Sequence, residues 1–388
     1  MATFNRESKT FSELVTFTRA SSGWYWDETG TLQEAGTDEP RFDHDPVTGE
    51  ALGLLIEGQR TNLLLQSVDL TDAAWSKTQV GVSAGETGPD GTASAFLVTP
   101  SGTSDIISQA VTTGGAEVYT VSAFLKAGAG AEVAIVLTGA VGTAISAAFD
   151  LDSGSVTISA GASEVTDAAI TPQGSGWYRV SVSFVTTSGG GLVNFRLSSL
   201  AEAGATYYTV FPQFELGRTA GSPIMTEDAA VTRAEDLVYS APAAGLINLD
   251  EGTYFAEFTY RGQPDFAGYI FGSQLGVSID YRNMVFWYRN KLQWRGGSDV
   301  PQIDGPSNLV AGETYRVAFT YGGGRARLVV NGQDYGSTSY TPSSYLTSAD
   351  LRIGSRPGDG AQLGGTIKDA RYYRRALTLD ELEELTAL

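Results

Sequence analysis

Along most of this chain, apolar and polar residues alternate with a period of two. The clearest runs are EVYTVSAFLKA, EVAIVLTG, WYRVSVSFVTT and LVNFRLSSL in the middle of the chain. Later come GTYFAEFTYRG, MVFWYRN, KLQWRG, TYRVAFTYGGG and RARLVVNGQ. Strand side chains point to opposite faces in turn, so such runs predict half-buried β-strands. In VYTVSAFLKA, Val118, Thr120, Ser122 and Phe124 share one face. Tyr119, Val121, Ala123 and Leu125 share the other, which is more apolar and is the expected core face. Gly-rich turns such as TTGGAE and TSGGGL separate the runs. Asn331-Gly332 between two runs predicts a tight hairpin. The one helical signal is the tail RALTLDELEEL, where Thr378 and Glu381 have capping-box spacing. The expected fold class is all-β.

The pattern also divides the chain. Residues 1–66 are polar and turn-rich, with Pro and Gly punctuation in DEPRFDHDPVTGE, and read as an extended adaptor that lies against a neighbour. Residues 67–239 and 240–388 each carry enough strands for an antiparallel β-sandwich. The two sandwiches are not repeats of one another.

Composition narrows the function. The 388-residue chain has no cysteine, which excludes disulfides, thiolate metal sites and cysteine nucleophiles. Its formal net charge of −19 disfavours nucleic acid and polybasic membrane contacts. No apolar run is long enough for a transmembrane helix, and the first residues lack a signal-peptide pattern. The expectation is a chain made and folded in a bacterial cytoplasm, without membrane insertion.

Candidate chemistry points to binding. The single histidine, His44, sits in the turn-rich adaptor with no GxSxG elbow elsewhere, and reads as a turn residue. The acidic residues of the last helix and of the connector around Glu227 and Glu235 read as solvated or capping groups. No catalytic residue is assigned. Sugar recognition uses aromatic faces and planar polar groups. Tyr281, Arg282, Trp287, Tyr288, Trp294 and Arg295 concentrate such residues and form the candidate glycan-binding set. The alternative is that Phe286 and Trp287 fill the core and that Trp294 packs the next strand. In the adaptor, Trp24, Tyr25 and Trp26 are consecutive and cannot all point inward on one strand, so at least one should contact a neighbour.

Three resemblances add to this reading. The run from Phe17 to Leu63 (TRAS at Thr18–Ser21, then EPRFDHDP, GLLIE and RTNL) resembles a segment near the start of bacteriophage head-spike, tail and fibre proteins. That resemblance implies a virion protein of a phage or gene transfer agent, attached to capsid or tail proteins. Arg19, Trp24, Tyr25, Trp26, Arg41 and Phe42 are then the attachment or interface candidates. Residues 67–239, with Trp75, the central YTVSAFLKAG, GWYRVSVSF and FPQFELG, resemble jelly-roll carbohydrate-binding modules. Such modules and laminin-G domains often hold structural Ca2+, which makes Asp69, Asp72, Asp150 and Asp152 candidate ligands. No cofactor is required. Residues 240–388, with Gly365, Ile367, Asp369, Arg371, Tyr373 and the RAL of Arg375–Leu377, resemble laminin-G and concanavalin-A-like lectin sandwiches. Catalytic members of that class carry an ExDxxE or ExDxE strand, which this chain lacks.

The function expected from these readings is a non-enzymatic spike or fibre adhesin that binds bacterial surface polysaccharide as a homo-oligomer, with a trimer favoured by analogy. A polysaccharide depolymerase and a purely architectural decoration protein are the alternatives.

Overall fold

The computed structural model describes residues 15–102, 105–200, 204–240, 247–262, 267–274, 281–288, 291–297, 300–342, 350–356 and 361–388. Strands dominate, and the capped helix Leu379–Thr386 ends the chain.

The first sandwich is two six-stranded antiparallel sheets. One places Glu132–Gly139 and Gly191–Ser199 at its centre; the other places Trp177–Val185, Val118–Ala127 and Tyr207–Leu216 side by side. The period of two decides which face is buried. Tyr119, Val121, Ala123 and Leu125 enter the core with Val180, Val182, Phe184, Phe195 and Phe214. Trp75 is sealed at the edge of the same core, its indole N–H donating to the Gln66 carbonyl at 2.9 Å. The opposite face of the Val118–Ala127 sheet carries Thr120, Ser122 and Phe124, and it is buried as well. Its cover comes from outside the sandwich.

The second sandwich is two seven-stranded sheets, and both recruit strands from far away in sequence. In one, Gly252–Tyr260 pairs with Thr314–Gly322 and Gly365–Tyr373; Ala51–Ile56 then adds to Gly365–Tyr373, and Phe42–His44 forms the edge. In the other, Thr16–Thr18 pairs with Leu237–Tyr239, which joins Asp350–Ile353. The strand Leu237–Tyr239 thus hydrogen-bonds into the second sandwich, although a boundary at 239 places it with the first. Asn331 and Gly332 both have positive φ (48° and 73°) between Arg325–Val330 and Gln333–Ser339, as a two-residue hairpin turn requires. Thr378 and Glu381 form the reciprocal capping box.

The adaptor is therefore not a separate layer. Phe17, Leu54 and Ile56 lie in the core of the second sandwich, beside Phe258, Phe271, Trp287, Trp294 and Phe319. The hairpin of Gly23–Trp26 with Leu32–Ala35 turns the other way and covers the first sandwich: Trp26 and Leu32 pack with Phe124, Trp177 and Phe211. One short segment thereby holds both sandwiches.

Candidate functional site

The strands Tyr281–Tyr288, Lys291–Gly297 and Val300–Ser307 run antiparallel at one edge of the second sandwich. Alternation sorts their side chains. Val285, Trp287, Leu292, Trp294 and Ile303 face the core. Trp287 is 4% exposed and Trp294 is fully buried, edge-on to Tyr340, so neither offers a ring face to a ligand. These two candidates are corrected to core residues. Each sits one position from an outward residue, and a period-two strand cannot present both.

The outward residues form a coherent patch. On that side Met284 and Phe286 are themselves buried, in a small cluster with Tyr269, Ala267 and Ala361, and half-buried Tyr288 packs against it. Arg295 stacks its guanidinium 5.2 Å from the Phe286 ring and 5.6 Å from the half-buried Tyr288 ring. Next to it Arg295 Nη2 donates to Gln293 Oε1 at 3.3 Å, and Gln293 Nε2 donates to Asp304 Oδ1 at 2.9 Å. Gln302 Nε2 donates to the same Asp304 oxygen at 2.8 Å, and Lys291 Nζ donates to Asp304 Oδ2 at 2.9 Å. The hydrogen bond from Lys291 holds the Asp304 carboxyl below its ordinary range, so it is ionised at neutral pH. Planar guanidinium, amide and carboxylate groups beside aromatic rings can engage the hydroxyls and apolar faces of a sugar.

Sequence reasoning found Tyr288 and Arg295 of this patch but missed Gln293, Gln302 and Asp304. The signal was present: Lys291, Gln293 and Arg295 alternate with Leu292 and Trp294, and Gln302 and Asp304 flank Ile303. Tyr281 and Arg282 open the first of these strands, and their side chains lie outside the described residues.

The adaptor candidates divide differently. Arg19 and Arg41 are buried, not presented to a partner. Asp236 receives both: Arg19 Nη1 at 3.2 Å and Arg41 Nη2 at 2.5 Å. Arg41 Nη1 also pairs with Glu57 at 2.7 Å, and Glu57 approaches Arg233 at 3.5 Å. This correction has a plain cause. Guanidinium groups enter a protein interior when carboxylates from another segment meet them, and here Glu57 and Asp236 lie on the two connectors between the sandwiches. Burial pushes the Glu57 carboxyl up, but the charges of Arg233 and Arg41 outweigh it and hold the group well below the carboxylate range. Trp26 is buried against Phe124 and Trp24 is half-buried against Phe211, so both contact the first sandwich. Tyr25 is half-buried, and Phe42 is 45% exposed on an edge strand.

Three of the four candidate calcium ligands spend a carboxylate oxygen on local turns, and Asp152 takes part through its backbone N–H. Asp69 Oδ1 accepts from the backbone and hydroxyl of Thr71, Asp72 Oδ1 from Ala74 N, and Asp150 Oδ1 from Asp152 N and Ser153 N. Among the described residues, no three acidic or histidine side chains converge as a metal group. His44 Nδ1 faces the Trp26 carbonyl at 3.2 Å, as an N–H donor would. No described helix is long and apolar enough to cross a membrane.

Residues 235–383 match the Concanavalin A-like lectin/glucanases superfamily. The match begins next to Leu237–Tyr239, the strand that the second sandwich recruits. No curated protein sequence matches the chain. Among solved structures, the chain is similar to a sialidase carbohydrate-binding module (CBM40) of Ruminococcus gnavus bound to α2,3-sialyllactose, with 18% identity and a TM-score of 0.34 over 38% of this chain and 87% of that one. It is similar to domain 4 of a GH43 extracellular arabinanase from Geobacillus stearothermophilus in complex with arabinotriose, with 18% identity and a TM-score of 0.29 over 39% and 73%. A pentraxin of Limulus polyphemus shares 20% identity and a TM-score of 0.29 over 35% of this chain and 69% of that one.

Proposed function

We propose that this chain is a non-enzymatic adhesin of a phage or phage-like virion that binds bacterial surface glycan through its second sandwich. The observation that carries the glycan part is the outer patch of Tyr288, Arg295, Gln293 and Asp304. It lies inside the segment that matches a lectin superfamily. The virion part is supported by the phage-like run from Phe17 to Leu63. Single-site glycan binding of this kind is weak, and linked copies offset that through effective concentration.

Purified protein on a bacterial polysaccharide array, with product analysis of each hit, tests the reading. Binding with intact polymer is expected. Tyr288→Ala and Arg295→Gln should lose that binding at an unchanged melting temperature. Trp287→Ala and Trp294→Ala should instead lower stability by about 3–5 kcal/mol, the cost of emptying a buried aromatic site. Shortened polymer would make the protein a depolymerase, and binding only to capsid or tail protein would make it architectural.

A further inference from the structure

A cleft of about 890 Å3 opens where the adaptor, the first sandwich and the second sandwich meet. That size suits a small-ligand site. Its walls include Trp24 and Tyr25 from the adaptor, Arg179 from the first sandwich, Arg218 from the following connector, and Tyr260 from the second sandwich.

Arg179 gives the cleft its chemistry. Its guanidinium lies 4.5 Å from the Phe124 ring centroid, and Nη2 donates to Ser122 Oγ at 2.7 Å. Nη1 is buried and meets no hydrogen-bond partner. Burial lowers the Arg179 pKa to about 10, so the group stays cationic at neutral pH. A buried cationic donor left unmade is costly, and an anionic acceptor removes that cost. The Tyr260 hydroxyl is also buried without a partner.

Most charges lining the cleft are matched. Arg261 is matched by Asp43 at 2.5 Å, Arg60 by Glu215 at 3.7 Å and Arg233 by Glu57 at 3.5 Å. Asp45 is committed to the backbone N–H groups of Val47 and Thr48. Asp167 also lines the cleft, and strand register sets it opposite Ser183, whose hydroxyl donates to the Arg218 carbonyl at 2.9 Å. Arg179 and the exposed Arg218 line the cleft without a salt bridge of their own, although the charges of Glu215 and Glu57 also act on Arg179. Half-buried Trp24 and Tyr25 supply the amphipathic ring surface that a sugar needs.

We propose that this junction cleft is a second saccharide site, specific for an anionic sugar whose charged group pairs with Arg179 and Arg218. It is separate from the outer patch of the second sandwich and does not depend on glycan binding there.

Calorimetric titration of the full chain tests it, with tetragalacturonate, a hyaluronan tetrasaccharide and mannose 6-phosphate as probes. Methyl-esterified tetragalacturonate and mannose are the neutral controls. At least one anionic probe should bind, with its neutral counterpart weaker by about tenfold or more. Which anionic probes bind distinguishes a carboxylate from a phosphate ligand. Arg179→Gln and Arg218→Glu should each weaken that binding by about tenfold, whereas Tyr288→Ala leaves it unchanged. Arg218 is exposed, so its variant keeps the test intact if Arg179→Gln unfolds. Binding of none of the anions, equal binding of acid and neutral forms, or loss through Tyr288→Ala alone would overturn the proposal.

Discussion

Glu57 and Glu215 are carboxyls beside the same connector, and their neighbours drive them in opposite directions. Burial pushes both up. Glu57 is pulled back down by Arg233, Arg41 and hydrogen bonds from Ser222. Glu215 accepts from Gln213 and Gly221, but its Oε2 has no hydrogen bond and Arg60 stands off at 3.7 Å, so its pKa stays raised. A carboxyl whose folded pKa lies above its unfolded value of about 4.3 contributes stability at low pH and loses it as pH rises through the folded pKa. Glu215→Gln keeps an acceptor for Gln213 and Gly221 and cannot ionise. Relative to wild type, the variant should gain stability as pH rises from about 4.3 toward neutral, measured by urea unfolding. A difference that stays flat across that range would reject the account. None of this was legible in the sequence. Glu57 reads there as one charge in an apolar run, and nothing local says which distant arginines will meet it.

At the scale of single elements, local pattern was a good guide. Alternation identified the core face of Val118–Ala127, and Asn331-Gly332 and the Thr378–Glu381 box appear as expected. Recruitment of short strands was invisible, because three-residue elements such as Thr16–Thr18 carry no period. The strand Ala51–Ile56 depends on Gly53, whose φ is +101° where it meets the edge strand Phe42–His44. A Cβ there would stand 2.2 Å from the Ile367 carbonyl oxygen. Gly53→Ala should therefore push Ala51–Ile56 off Gly365–Tyr373, through both the clash and the strained backbone. Expected results are a lower melting temperature and faster hydrogen exchange at Leu54 and Ile367, which the register pairs. Unchanged exchange at both positions would refute the pairing.

Across the whole molecule, the N-terminal segment works as a clasp. It gives strands to both sheets of the second sandwich and lays Trp26 and Leu32 on the first. The ion cluster of Arg19, Arg41, Arg233, Glu57 and Asp236 lies where these contacts converge. Residues 240–388 expressed alone would lose Phe17, Leu54, Ile56 and Val238 from their core and expose the Gly365–Tyr373 edge. An unpaired strand edge templates aggregation. That fragment should be poorly soluble or melt well below the full chain. A fragment that matches the full chain in melting temperature would show that the clasp is dispensable.

The sequence by itself determined the all-β class, the two sandwiches and the inward and outward sides of their longer strands. These follow from short-range alternation, which is written in consecutive residues. Only the tertiary structure decided which strands complete the second sandwich. It also decided that Arg19 and Arg41 are internal, and which polar groups share the Tyr288 patch or open into the junction cleft. Those outcomes depend on contacts between segments as far apart as Ile56 and Gly365. A charge or an aromatic ring acquires its role from the distant partner that desolvates or pairs it, and the local pattern is silent about that partner.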